Sequence, residues 1–121
     1  MKVIHVITDL DIGGAEMMLY KLLASLRNNE IESLVITLMG RGKITERIEA
    51  LGVKVETLDL EQGARPSWNT IKKLKRIVRI SNPDIIQGWM YHGNIAATVA
   101  VFLFDPMRRK VKLFWNVRQT L

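Results

Sequence analysis

Two apolar patterns alternate along the whole chain, and this alternation limits the possible folds more than any other feature of the sequence. Short, nearly continuous apolar runs predict strands that are covered on both faces. Longer runs with apolar residues three or four positions apart predict amphipathic helices. The predicted strands cover residues 3–8, 33–39, 53–60, 85–89 and 111–117, and the predicted helices cover residues 15–28, 43–51, 68–81 and 93–104.

Alternating strands and helices favour parallel strands joined by right-handed helical crossovers. We therefore predict an α/β fold: a doubly wound, Rossmann-like parallel sheet of about five strands, in the order 3-2-1-4-5, between two helical layers. A length of 121 residues suits one domain. Because the pattern stops after the fifth strand with no closing helix, we expect residues 1–121 to be a piece of a larger protein.

Local signals predict where several of these elements begin and end. Gly52 is a stop signal after the second helix, and Ser67 is a favourable N-cap for the helix over residues 68–81. The sequence Asn82-Pro83-Asp84 ends that helix, because the residue before a proline avoids the helical region.

Composition excludes several kinds of site. The chain has no cysteine, which rules out disulfides, thiolate metal sites and cysteine nucleophiles. This composition fits a reducing compartment, and we predict a cytoplasmic protein. The longest apolar stretch, residues 95–104, is too short to cross a bilayer.

The net charge of +6 is concentrated in two segments, the predicted helix over residues 68–81 with its approach and the turn at residues 108–112. Basic surfaces attract nucleic acid, anionic lipid headgroups or phosphorylated small molecules. A solvated helix face and a basic turn are the plainer interpretation. A nucleic-acid partner would rest on charge alone, and we predict none.

An open parallel sheet binds ligands beyond the carboxyl ends of its strands, where the strand order reverses. In the predicted order this point lies between the first and fourth strands. Three loops converge there, and they contain residues 9–16, 90–94 and 116–119. The sequence therefore predicts one crevice that is lined by glycines, a histidine, an amide and an arginine.

The pair Gly13-Gly14 joins the first strand to the first helix. Glycines there allow backbone to approach a ligand and leave free N–H groups at a helix N-terminus, an arrangement suited to phosphate. The alternative is a tight turn without a ligand, and both the dinucleotide fingerprint and the Walker loop are absent. Glu16 falls in the first helical turn, where it can also simply interact with the helix dipole.

His92 lies between a strand end and a helix start, where its ring can hydrogen-bond a sugar hydroxyl or transfer a proton. The alternative is a capping or packing histidine. Arg118 follows the fifth strand and can clamp a phosphate or carboxylate, or lie free in water. Asp9 and Asp11 are more typical of a turn than of a metal site, and His5 is interpreted as a satisfied core residue.

Three segments of the chain resemble group 1 (family 4) glycosyltransferases, which have two Rossmann-like domains (the GT-B fold). The first is VIHVIT followed by GGAE, at residues 3–8 and 13–16. The second is PDIIQGWMYHGN at residues 83–94, and the third is WNVRQTL at residues 115–121. They occur in the order in which the family has them and extend over the whole chain.

The resemblance implies an enzyme that transfers a sugar from a nucleotide sugar to an acceptor, with retention at the anomeric carbon and without a metal or other cofactor. Gly13 and Gly14 would lie near the donor diphosphate, and His92 would be the catalytic residue beside the transferred sugar. Substrate contacts are expected from the remaining polar residues of the crevice, which are Glu16, Asn94, Asn116 and Arg118.

In this family the donor nucleotide is held chiefly by a second, C-terminal domain. The resemblance therefore implies that residues 1–121 are part of the N-terminal, acceptor-side domain, and we expect them to be inactive alone. The expected acceptors are polysaccharide, lipopolysaccharide or glycolipid. The basic segments then suggest peripheral contact with an anionic membrane at its inner face. The alternative function is a stand-alone doubly wound binding or regulatory domain. A receiver-like module would use Asp59 but would also need a lysine after the fifth strand, where Arg118 stands.

Overall fold

Five parallel strands form one sheet in the computed structural model, which describes residues 1–8, 14–26, 30–60, 67–89, 96–100 and 112–116. The strand order is β3-β2-β1-β4-β5. The predicted α/β sheet and its order are therefore confirmed. The strands are β1 (Lys2–Ile7), β2 (Glu32–Thr37), β3 (Lys54–Thr57), β4 (Ile85–Trp89) and β5 (Lys112–Asn116).

Helices follow the first four strands in the described part of the chain. They are α1 (Gly14–Ser25), α2 (Thr45–Glu49), α3 (Trp68–Ser81) and a helical segment at residues 96–100, here called α4. The helix α2 is shorter than the predicted stretch 43–51. The Gly42 N–H donates to Thr45 Oγ1 at 2.8 Å, so the chain still turns before the helix begins. Gly52 then stops it with a φ of +86°, which favours glycine.

The central strand β1 explains the continuous apolar run near the start of the chain. Ile4 lies between Leu34 of β2 and Ile86 of β4, and all three side chains are buried. Residues 3–7 are buried without a break, as expected for a parallel strand that is covered on both faces.

Side chains that alternate along β1 build a core on each face of the sheet. Ile4 and Val6 belong to the core that includes residues of α3 and α4. Ile7 belongs to the core that includes Leu19 and Leu23 of α1 and residues of the α2 region. The helices α1 and α2 therefore cover one face, and α3 and α4 cover the other, as in a doubly wound sheet.

The limits of α3 confirm the predicted capping signals. The hydroxyl of Ser67 accepts a hydrogen bond from the Thr70 N–H at 3.2 Å, which satisfies one of the free donors of the first turn. At the other end Asn82 adopts a left-handed conformation with a φ of 50°, and its N–H donates to the Val78 carbonyl. Pro83 follows and cannot continue the helix.

Within the described residues, no helix combines the length and apolarity that a bilayer crossing requires.

Candidate functional site

The switch point of the sheet lies between β1 and β4, as the sequence predicted. These two strands are adjacent and parallel, with Ile7 opposite Trp89 at their carboxyl ends. The chain leaves β1 towards α1 on one face and leaves β4 towards α4 on the opposite face. Connections that diverge in this way leave a crevice beyond the carboxyl ends of the two strands, which is where such sheets bind ligands.

The structure places three of the predicted site residues at this edge of the sheet. Gly14 is the first residue of α1, and Glu16 lies in the first turn of that helix. Asn116 is the last residue of β5 and is paired with Trp89. The other predicted site residues lie outside the described residues, and they are Gly13, His92, Asn94 and Arg118.

The first turn of α1 combines free backbone donors with a buried acid. Gly14 is exposed and is the first residue of the helix, and the first N–H groups of a helix have no partner within the helix itself. Glu16 is only 6% exposed and shares the inner side of α1 with Leu19 and Leu23. An acid on the inner side of a helix is unusual, because burial of a carboxylate is costly without polar partners. Glu16 therefore does not lie on the exposed face of α1.

Thr8 is a residue of this edge that sequence analysis missed. It follows β1 directly, and its carbonyl accepts hydrogen bonds from Thr37 Oγ1 at 3.2 Å and from the Met39 N–H at 3.1 Å. Its own hydroxyl is buried and has no hydrogen-bond partner among the described residues. The only signal in the sequence is a threonine that closes an otherwise apolar strand.

His5 and Trp89 form a buried polar pair beneath the crevice. The indole Nε1 of Trp89 donates to Nδ1 of His5 at 3.0 Å, and the ring centroids are 6.1 Å apart. Burial lowers the pKa of His5 to about 4. The prediction of a core histidine is confirmed, but only one ring nitrogen is satisfied, because Nε2 has no partner among the described residues.

The outer face of α3 is basic and carries two exposed apolar side chains. Trp68 is 69% exposed and Ile80 is 74% exposed. Lys73 approaches Asp59 at 3.8 Å. The other four cations of this helix form no ion pair with the described residues, and they are Lys72, Lys75, Arg76 and Arg79. Of the second basic segment, only Lys112 belongs to the described part of the chain.

The described residues offer no cluster of three histidine or acidic side chains that could hold a metal ion. A groove of about 370 Å³ lies at the opposite edge of the sheet, near the starts of β2 and β3. It is lined partly by Leu26, Glu32 and Lys54. Its place at the amino ends of the strands separates it from the switch point.

Comparison with known proteins indicates the family to which this chain is similar. A family model described as Glycosyltransferase Family 4 matches residues 12–117, a range that begins after β1 and contains the predicted site residues Gly13, Gly14 and His92. No curated protein matches the sequence at a significant level.

The fold is similar to that of the crystal structure of GalB, the 4-carboxy-2-hydroxymuconate hydratase from Pseudomonas putida KT2440. The TM-score is 0.56 at 16% sequence identity, and the match covers 92% of this chain. The chain spans 62% of the length of that hydratase. At this identity the likeness concerns the fold alone.

Proposed function

Since the chain belongs to glycosyltransferase family 4, we propose that it is the N-terminal part of a retaining glycosyltransferase. The enzyme would transfer a sugar from a nucleotide sugar to a polysaccharide, lipopolysaccharide or glycolipid acceptor. The observation that carries this proposal is the family match over residues 12–117. The doubly wound sheet, with its switch point between β1 and β4, agrees with it.

The N-terminus of α1 suits the diphosphate of the donor. Gly14 has no side chain to keep a phosphate away from the backbone, and Gly13 precedes it. The N-terminus of this 12-residue helix offers free N–H groups and the positive end of the helix dipole, and both attract phosphate. Negative charge grows on the diphosphate as its bond to the sugar breaks. The N–H groups of the helix would stabilise that charge.

The other proposed contacts come from the segments that follow β4 and β5. His92 comes three residues after Trp89 in the sequence, and we propose that it acts beside the transferred sugar. Asn116 and Arg118 come from the end of β5 and its following segment. Glu16 and Asn94 complete the proposed substrate contacts.

Activity of the full-length protein towards a panel of UDP- and GDP-sugars tests the proposal. We expect transfer or slow hydrolysis of one donor, with retention of anomeric configuration by NMR. His92→Ala should reduce kcat by about 100-fold or more, the usual contribution of a positioned acid–base group. His5→Asn is the matched histidine control and should keep most of the activity.

Residues 1–121 alone are expected to bind nucleotides weakly and to be inactive. Tight binding of a nucleotide to these residues by calorimetry would contradict the proposed role of a second domain. Inversion of configuration by the full-length protein would contradict the retaining mechanism.

We also propose that α3 contacts an anionic membrane surface from the cytoplasmic side. Trp68, Lys72, Arg76 and Ile80 are spaced four residues apart, so they form one row along the helix. The helix contains no acidic residue. A row of cations with an exposed apolar side chain at each end suits a lipid interface, where lysine and arginine meet headgroups and tryptophan enters the boundary region.

Vesicle binding of the full-length protein tests this contact. The variant Lys72→Gln/Arg76→Gln should bind phosphatidylglycerol vesicles about thirtyfold more weakly, since each cation near such a surface contributes about 1 kcal/mol. The matched control is Lys21→Gln/Lys43→Gln, which removes two exposed cations from the α1 and α2 side of the sheet. Equal binding by both variants, or strong binding of the unaltered protein to neutral vesicles, would exclude α3 as the contact.

A further inference from the structure

The hydrogen bond between Trp89 and His5 fixes the protonation state of the histidine. An indole N–H can only donate, so Nδ1 of His5 must be unprotonated to accept it at 3.0 Å. The proton of the neutral ring then lies on Nε2. That N–H has no partner among the described residues, although the side chain is only 2% exposed. Within the described part of the chain, the Trp89 N–H is therefore satisfied and the His5 Nε2–H is not.

The pair joins the two strands that bound the switch point. His5 lies in the middle of β1, and Trp89 is the last residue of β4. In the register His5 lies opposite Gln87, so the hydrogen bond runs diagonally to the residue two positions further along β4. It ties the indole to β1 just before the chain continues to the predicted site residue His92, which lies outside the described residues.

We propose that His5 is a positioning residue: its Nδ1 holds the Trp89 indole and so fixes the carboxyl end of β4 at the edge of the crevice. The indole also packs in the core with Ile7 and Leu19, but these apolar contacts do not define how the ring is rotated. The hydrogen bond does, because it is directional. The effect of this residue on sugar transfer rests on the proposed function, whereas the hydrogen bond and its effect on β4 do not.

The described surroundings of the pair favour the neutral form of His5, which can accept a hydrogen bond. Its neighbours on this face of the sheet are Val35 of β2 and Gln87 of β4, neither of which is charged. The ionisable side chains on this side of the sheet include Glu16 and Tyr20 of α1 and Arg47 of α2, whose guanidinium lies 5.1 Å from the centre of the Tyr20 ring. Burial without a neighbouring ion pair favours the uncharged ring.

Nitrogen NMR of the full-length protein tests the tautomer without any substitution. We expect His5 to be the Nε2–H tautomer at neutral pH, with the chemical shift of an Nδ1 that accepts a hydrogen bond. The Trp89 indole N–H, assigned with Trp89→Phe, should exchange with solvent far more slowly than that of the exposed Trp68. A protonated Nδ1, or equally fast exchange of both indoles, would overturn the proposal.

Two substitutions separate positioning from simple packing. His5→Asn places its Oδ1 where Nδ1 stood, so the Trp89 indole should stay protected. His5→Leu fills the space but offers no acceptor, so the protection should be lost and the amide signals of Gly88 and Trp89 should shift. If His5 only fills space, His5→Leu should disturb these signals less than His5→Asn, since leucine suits an apolar core better than asparagine. Unchanged signals in His5→Leu would therefore refute the proposal.

The same variants distinguish this inference from the proposed function. If the full-length protein transfers sugar, His5→Leu should lower kcat while His5→Asn retains it. If no donor is used by the unaltered protein, the proposed function fails, but the NMR result still decides whether His5 positions Trp89.

Discussion

Ile7 and Trp89 lie directly opposite each other in parallel register, and each is the last residue of its strand. The carboxyl ends of β1 and β4 are therefore level with each other at the switch point. Both side chains are buried in the core that includes α1. The floor of the candidate site is consequently also the core of the domain, so its geometry and the stability of the fold depend on the same residues.

The central core residue Ile4 should contribute much more to stability than an exposed isoleucine. Ile4 is fully buried between two neighbouring strands. Ile4→Ala should lower the free energy of unfolding by about 2–5 kcal/mol, through lost burial and the cavity that remains. The matched control is Ile80→Ala on the exposed face of α3, which should change it by less than about 0.5 kcal/mol. Urea unfolding of both variants measures the difference, and similar losses would contradict the assigned core.

His5 and Trp89 should be energetically coupled. His5→Leu leaves the buried Trp89 N–H without an acceptor, which costs about 1–3 kcal/mol. In a Trp89→Phe background that donor is absent, so the same substitution should be less destabilising. A double-mutant cycle should therefore give a coupling energy of about 1 kcal/mol or more. Additive effects within experimental error would show that the hydrogen bond contributes nothing.

Burial of His5 should make the protein less stable in mild acid. Its pKa of about 4 in the folded state lies below the ordinary 6.5, so the unfolded chain binds a proton more readily. The free energy of unfolding should therefore fall as pH drops below about 6.5, with about 3 kcal/mol lost once pH is below about 4. No loss from this group is expected above pH 7.

The variant His5→Asn isolates this effect, because all other titrating groups remain. Its stability should decrease less steeply between about pH 6.5 and 4 than that of the unaltered protein. Parallel curves from denaturant unfolding at several pH values would show that His5 does not titrate as its burial requires.

The N-cap of α3 should contribute a measurable amount to stability. Ser67→Ala removes the acceptor for the Thr70 N–H and should cost about 1 kcal/mol, as is usual for such caps. Ser67→Asp keeps an acceptor at the same position and adds a charge that favours a helix N-terminus, so it should retain or raise the stability. Thermal unfolding compares the two. If they are destabilised equally, the cap is not the cause.

Much of this fold could be predicted because its signals are local. Ser67 marks the start of α3, and Gly52 stops α2, through backbone geometry that involves only a few neighbouring residues. The strand order also followed, since alternating strands and helices leave few parallel arrangements. The predicted length of α2 was wrong by several residues, because the contact of Gly42 with Thr45 delays the start of the helix. Such a contact cannot be inferred from the spacing of apolar residues.

The candidate site was predicted less completely, because its contacts join distant parts of the chain. Its location at the carboxyl ends of β1 and β4 follows from topology, and Gly14, Glu16 and Asn116 lie at that edge. The roles of these residues, and those of Gly13, His92, Asn94 and Arg118, remain predictions from family resemblance. Thr8 gave no useful signal, since an unsatisfied hydroxyl is recognised only when its surroundings are known.

The sequence by itself determined the elements, their order and the position of the switch point, because hydrophobic period, capping residues and crossover handedness act over short stretches of chain. Only the tertiary structure decided what His5 does. Its partner Trp89 lies 84 positions away, and nothing in either local pattern distinguishes an apolar packing histidine from an acceptor. The hydrogen bond exists because parallel pairing of β1 with β4 brings the two side chains onto one face of the sheet.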